Sequence, residues 1–221
     1  MSRKVTILCA MLLAACAGGS QPSAPTATAE ALREGCVAST LDVLLGAVDL
    51  CAPVASAEDA QDLVAAFAAC AVVAGTAGSD VFVACADTRV RGEPATLLVT
   101  VELDADVLRV SLESAGTYRT EAALDLTRDP ADGILVSGTI HTESPDGFYV
   151  EGTLDRVQAR MVADLPGLET AAVFTSGNVD LGVREGPDIV ATGTAALYGR
   201  NALVALQVGG ASSHGEITLG Q

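Results

Sequence analysis

The chain has no tryptophan, four Phe and three Tyr among 221 residues. Surfaces that stack nucleobases or sugar rings need exposed rings in number, so this scarcity counts against both. Lysine occurs once, at Lys4, and the other basic side chains are arginines. The formal net charge is −16, which repels phosphate backbones and anionic headgroups. Nucleic acid is therefore excluded as an expected partner. Histidine occurs only at His141 and His214. There is no Gly-x-Ser-x-Gly elbow, no His-Glu-x-x-His pair and no glycine loop of the phosphate-cradling kind. Without a Cys-x-x-Cys knuckle, four cysteines do not read as a zinc site. The expectation is a protein that is not an enzyme and holds no cofactor and no metal.

Half of the residues are hydrophobic, so a sizeable core is available, filled by Val, Leu, Ile and Ala. The acidic loops "ELDADV" (102–107) and "DLTRDPADG" (125–133) offer carboxylate oxygens of the type calcium takes. They lack the Asp-x-Asp-x-Asp-Gly spacing and read as solvated turns.

Residues 1–16 read "MSRKVTILCAMLLAAC". Arg3 and Lys4 form a positive start. The apolar run Val5 to Leu13 is shorter than the roughly 20 residues a bilayer span needs. Leu13-Ala14-Ala15-Cys16 then resembles the lipobox of bacterial lipoproteins at every position. The resemblance covers residues 1–16 only. It implies a signal peptide over 1–15 and a mature chain beginning at a lipid-modified Cys16. It also implies a membrane partner reached through acyl chains, and a place in the bacterial cell envelope. Ala17 in place of Asp agrees with the outer membrane. The tract "AGGSQPSAPTATA" (17–29) is small, polar and Pro-containing, a flexible tether reaching at most about 43 Å.

Export permits disulfides. With Cys9 in the signal and Cys16 acylated, Cys36, Cys51, Cys70 and Cys85 remain. Val37, Leu41, Leu44, Leu45 and Val48 have helical spacing, and Pro53 ends that helix. "SAED" from Ser56 opens a second helix as a capping box does. An antiparallel hairpin over 30–86 follows, with its second helix at 57–74. On one helix Cys36 and Cys51 stand about 22 Å apart, far beyond disulfide reach. The expected pairs are Cys36–Cys70, symmetric about Pro53, and Cys51–Cys85.

From residue 95 the apolar period becomes two, as in Leu97, Val99, Val101 and Leu103. Further runs are expected at 108–112, 117–127, 133–143, 147–157, 170–182, 188–198, 202–208 and 215–219. Turn signals such as "SPDG" and "REGP" separate them. Gly138, Gly152 and Gly193 each fall in mid-strand on the apolar face, and Gly138 and Gly152 are expected side by side. Such glycines mark a bend or a close approach. The fold expected is α+β, with the disulfide-linked hairpin packed on a curved antiparallel β-meander (95–221) that approaches a half-barrel. Helix 57–74 should cover the glycine row. The function expected is a membrane-anchored interaction or structural module with an envelope protein as partner. The alternative is a carrier that holds an apolar ligand, such as an acyl chain, over Gly138, Gly152 and Gly193.

Overall fold

The computed structural model describes residues 24–66, 81–91, 93–104, 106–129, 133–165 and 168–220, with the backbone alone at 24–27, 64–66, 81–89 and 164–170. Cys16 and Cys70 lie outside the described residues. Helix α1 (Ala24–Leu32) runs through a π-helical turn (Arg33–Val37) into α2 (Ala38–Cys51), and α3 spans Ala57–Ala66. Eleven strands follow. They are β1 (Val81–Val90), β2 (Glu93–Asp104), β3 (Val107–Gly116), β4 (Arg119–Asp129), β5 (Gly133–Glu143) and β6 (Phe148–Leu165). Then come β7 (Leu168–Ser176), β8 (Asn178–Glu185), β9 (Asp188–Tyr198), β10 (Asn201–Val208) and β11 (Ala211–Thr218).

The strands form one antiparallel sheet in the order β1-β2-β3-β4-β5-β6-β8-β9-β10-β11. β7 stands off this path and pairs β6. A bulge produces the branch. At Asp155–Arg156 the β5–β6 register slips, Arg156 takes φ 52, and its N–H donates to Ser137 Oγ at 2.9 Å. The start of β6, Phe148–Leu154, pairs β8, and its end from Gln158 pairs β7. Gly177 at φ 135 divides the expected run 170–182 into β7 and β8.

Alternation of buried and exposed residues along β2, β3 and β4 gives the sheet one apolar and one polar face, as period two dictates. The sheet curls around α2. Eleven of the fourteen α2 residues are buried, and the helix packs against β1, β3, β4, β5 and β7. A helix apolar on every side demands such a surround. Leu41, Leu44, Leu45 and Val48 are fully enclosed, each worth about 1.5–3 kcal/mol on burial.

The second helix starts as expected. Ser56 Oγ accepts from Asp59 N–H at 3.1 Å, and Asp59 Oδ2 accepts from Ala55 N–H at 2.9 Å. Two other expectations are corrected. Among the described residues α3 packs on β1 instead of back along α2, so the covering helix is α2, and the part of helix 57–74 beyond Ala66 lies outside the described residues. The pairs Cys36–Cys70 and Cys51–Cys85 are not found, because Cys36 and Cys51 are buried free thiols. Cys36 Sγ lies 3.6 Å from Thr142 O on β5, and Cys51 lines a cavity together with Leu126 and Ile134 of the sheet. Cys85 lies in β1, its side chain outside the described part.

Gly152 and Gly193 belong to an inward row that crosses eight strands in register. It reads Leu112, Ala122, Ile140, Gly152, Leu181, Gly193, Leu206, Ser213, large and small in turn. Each small residue leaves room for its larger neighbours, the interdigitation a closely curved sheet requires. Gly138 and Gly152 are therefore diagonal, with Gly138 opposite Leu154 and Gly152 opposite Ile140. The β5–β6 turn sets this register. Ser144 N–H donates to Phe148 O at 2.8 Å, and Gly147 adopts φ 83.

A Cβ at Gly193 would collide with the Ala205 carbonyl, whereas one at Gly182 meets nothing within 4 Å. Gly193→Ala is expected to cost about 1–3 kcal/mol by overpacking. Gly182→Ala should stay within about 0.5 kcal/mol or gain stability. Urea midpoints of the two variants check the contrast.

Candidate functional site

Three polar groupings and a cavity stand out among the described residues. The first grouping secures α2. Asp49 Oδ1 accepts from Ala172 N–H on β7 at 2.6 Å, and Arg200 from the β9–β10 turn reaches both carboxylate oxygens, at 3.1 and 3.0 Å. Arg200 also donates to Ala172 O at 3.1 Å. One turn pair earlier, Asp42 Oδ1 accepts from Gly220 N–H at 2.9 Å. Arg91 stands 3.6 Å from Asp42 Oδ2, an ion pair longer than a hydrogen bond, and donates to Thr218 O at 3.2 Å. Asp42 and Asp49 are seven residues apart, so one face of α2 carries both.

The second grouping lies further along the same edge of β11. Arg33 in the π-helical turn donates to Ser213 Oγ and His214 O, both at 2.9 Å. His214, expected in a turn, is in β11, exposed. His141 sits exposed on β5, between Glu121 and Glu151 across the sheet. Those glutamates pair with Arg119 and Arg184. Among the described residues no three His, Cys, Asp or Glu side chains are grouped to hold a metal ion.

The third grouping is buried. Thr120 and Thr142 share a hydrogen bond of 3.0 Å, and Ser114 continues their row. Cys36 lies above Thr142, and Thr40 Oγ1 donates to Cys36 O at 2.8 Å. Burial pushes the Cys36 and Cys51 thiols up to about 12. Both are neutral at physiological pH, so neither is an activated nucleophile.

The cavity, about 100 Å³, sits at the C-terminal end of α2. Cys51, Val54, Leu103, Leu108, Leu126 and Ile134 give it apolar walls. Arg128 and Asp106 also line it, and Arg128 donates to Ala52 O at 2.8 Å, satisfying a carbonyl the helix end leaves open. The space at the glycines named from sequence is occupied by neighbours. Ile140 and Val179 side chains close on Gly152, Leu206 on Gly193, and Ala123 and Leu124 backbone on Gly138. Sequence reasoning missed Asp42, Asp49, Arg91 and Arg200. Their one signal was acids inside an otherwise apolar helical pattern.

The chain matches no protein family, no curated protein and no solved structure.

Asp49→Ala strands the Ala172 N–H and the Arg200 guanidinium, and is expected to cost about 1–3 kcal/mol. Asp42 behaves differently. Burial raises its carboxyl above the ordinary 3.8, against the pull of the Gly220 N–H and Arg91. The folded state thus holds this proton more tightly than the unfolded state does. Its contribution to stability is greatest below 3.8 and declines as pH rises through the raised value. Asp42→Asn keeps an acceptor for Gly220, so its urea midpoint at pH 7 should equal or exceed that of the parent. The mild acid-side gain due to Asp42 should vanish from the variant's stability–pH curve.

Proposed function

We propose that the chain is a lipid-anchored, non-enzymatic interaction or structural module of the bacterial envelope, held at the membrane through Cys16. The observation that supports this most is α2, enclosed by the sheet that would otherwise offer a concave binding face. Small-molecule sites typically occupy about 300–1,000 Å³, well above the cavity beside Cys51. A carrier of acyl chains would need room where the Ile140, Val179 and Leu206 side chains now stand. No helix among the described residues is long and apolar enough to cross a membrane. The attachment proposed is through the lipobox cysteine. A chain tethered in this way displays the polar outer face of its sheet to an envelope partner.

Metabolic labelling with a palmitate analogue tests the anchor. Label and membrane retention should both be lost in Cys16→Ser, and a variant that stays labelled and membrane-bound refutes it. Native mass spectrometry of the intact chain separates module from carrier. The expected mass is that of the acylated chain alone, and a co-purifying non-covalent lipid would overturn the module reading.

A further inference from the structure

We infer that the end of the sheet at which α1 emerges is turned to the lipid bilayer, and that the end holding the cavity by Cys51 is turned away from it. This orientation rests on the acyl anchor at Cys16 proposed above and adds the surface that meets the membrane. α1, the π-helical turn and α2 are 9, 5 and 14 residues long and follow one another without a break. Leu32, Val37 and Ala38 at the junctions all keep right-handed helical backbone. The run measures about 42 Å at 1.5 Å per residue. It passes from one end of the sheet to the other. Cys51 lies by the β2–β3 turn at Asp106, near the end of β4 at Arg128 and the start of β5 at Ile134. Cys36 lies by Thr142, one residue from the other end of β5, and Gly35 lies by Tyr118 in the β3–β4 turn. Ahead of Gly35 the helix continues past these turns and lies along β10 and β11.

The length of chain between anchor and helix decides the orientation. Cys16 and Ala24 are eight residues apart, a span of at most about 29 Å when fully extended. The tether is shorter than the tract 17–29 expected from sequence, because α1 begins at Ala24 and Ala29 is fully buried. If the Cys51 end met the bilayer, Ala24 would stand about 42 Å above it, beyond that reach. Inversion is therefore excluded, and the end at which α1 emerges is held to the membrane side. Across this end Arg119, Glu143, Tyr149, Arg184 and Ile189 stand side by side on β4, β5, β6, β8 and β9. Tyr149 and Ile189 are exposed. Tyrosine and arginine, with apolar bodies and polar tips, settle readily at a membrane–water boundary. Arg119 and Arg184 pair with Glu121 and Glu151, so the anchor brings this row to the membrane and an attraction for anionic headgroups does not.

Isoleucine δ1-methyl signals report the orientation. In a chain that begins at Cys16 the isoleucines are 134, 140, 189 and 217. Ile189 belongs to the row just described, whereas Ile134 lines the cavity, about 30 Å along β5 from Glu143 of that row. The full mature chain, its acylation established by intact mass, is placed in phosphatidylcholine nanodiscs with a small share of gadolinium-chelating lipid. Ile134→Val and Ile189→Val assign the two signals. The Ile189 signal should be lost to paramagnetic broadening while Ile134 keeps most of its intensity. On an acylated chain, loss of Ile134 with Ile189 or in its place, or retention of both, overturns the orientation and leaves the anchor standing. A chain whose mass shows no acyl group overturns the anchor, and the orientation with it. A variant with about twenty Gly and Ser residues inserted after Ser20 has the reach to invert, so its Ile134 signal should weaken. An Ile134 signal that the insertion leaves untouched overturns tether length as the cause.

Discussion

Two carboxylates on a buried helix are the interaction on which the rest of the structure depends. A sheet that ends in open edges leaves N–H and C=O groups without partners. Here α2 provides them. Asp49 accepts from Ala172 on β7, and Asp42 accepts from Gly220 just past β11. Arginines from turns serve the carbonyls: Arg200 at Ala172, Arg91 at Thr218 and Arg33 at His214. These contacts cap the branch strand β7 and the free edge of β11 with side chains. They also fix where α2 lies inside the curve, which hydrophobic contact alone would not do, since apolar burial has no direction.

The two aspartates are not equivalent. Asp49 gains a two-pronged arginine and a short backbone hydrogen bond, so its charge is well met. Asp42 gains one backbone donor and a distant arginine, while its side chain is almost fully enclosed. For Asp42 the cost of leaving water exceeds what its partners return, and its carboxyl rises accordingly. Asp42 therefore contributes position more than stability, as buried charges in apolar surroundings often do.

Curvature has its own requirement. Wrapping a sheet round one helix brings the inward side chains of neighbouring strands together, and full-sized residues at every position would not fit. The row from Leu112 to Ser213 meets this by alternating large and small. Gly152 and Gly193, read from sequence as part of the floor of a groove, are thus holes filled by Ile140, Val179 and Leu206. At Gly152 and Gly193 the interior is packed by the chain's own residues, and a cavity of about 100 Å³ stands at the far end of α2, by Cys51.

The sequence by itself determined the local order. Period-two alternation and turn residues located most strands within a few residues, because side-chain direction on a strand depends only on neighbours along the chain. Ser56 and Asp59 announced a helix start for the same reason. Four arrangements were decided by tertiary structure alone. These are the enclosure of α2 in place of the helix that follows, the branch at Arg156, the two-residue offset of Gly138 and Gly152, and the free state of Cys36 and Cys51. Each depends on which distant segments meet. Spacing along a chain fixes which face a residue is on, whereas the partner across that face is chosen by packing and by the pairing of buried polar groups.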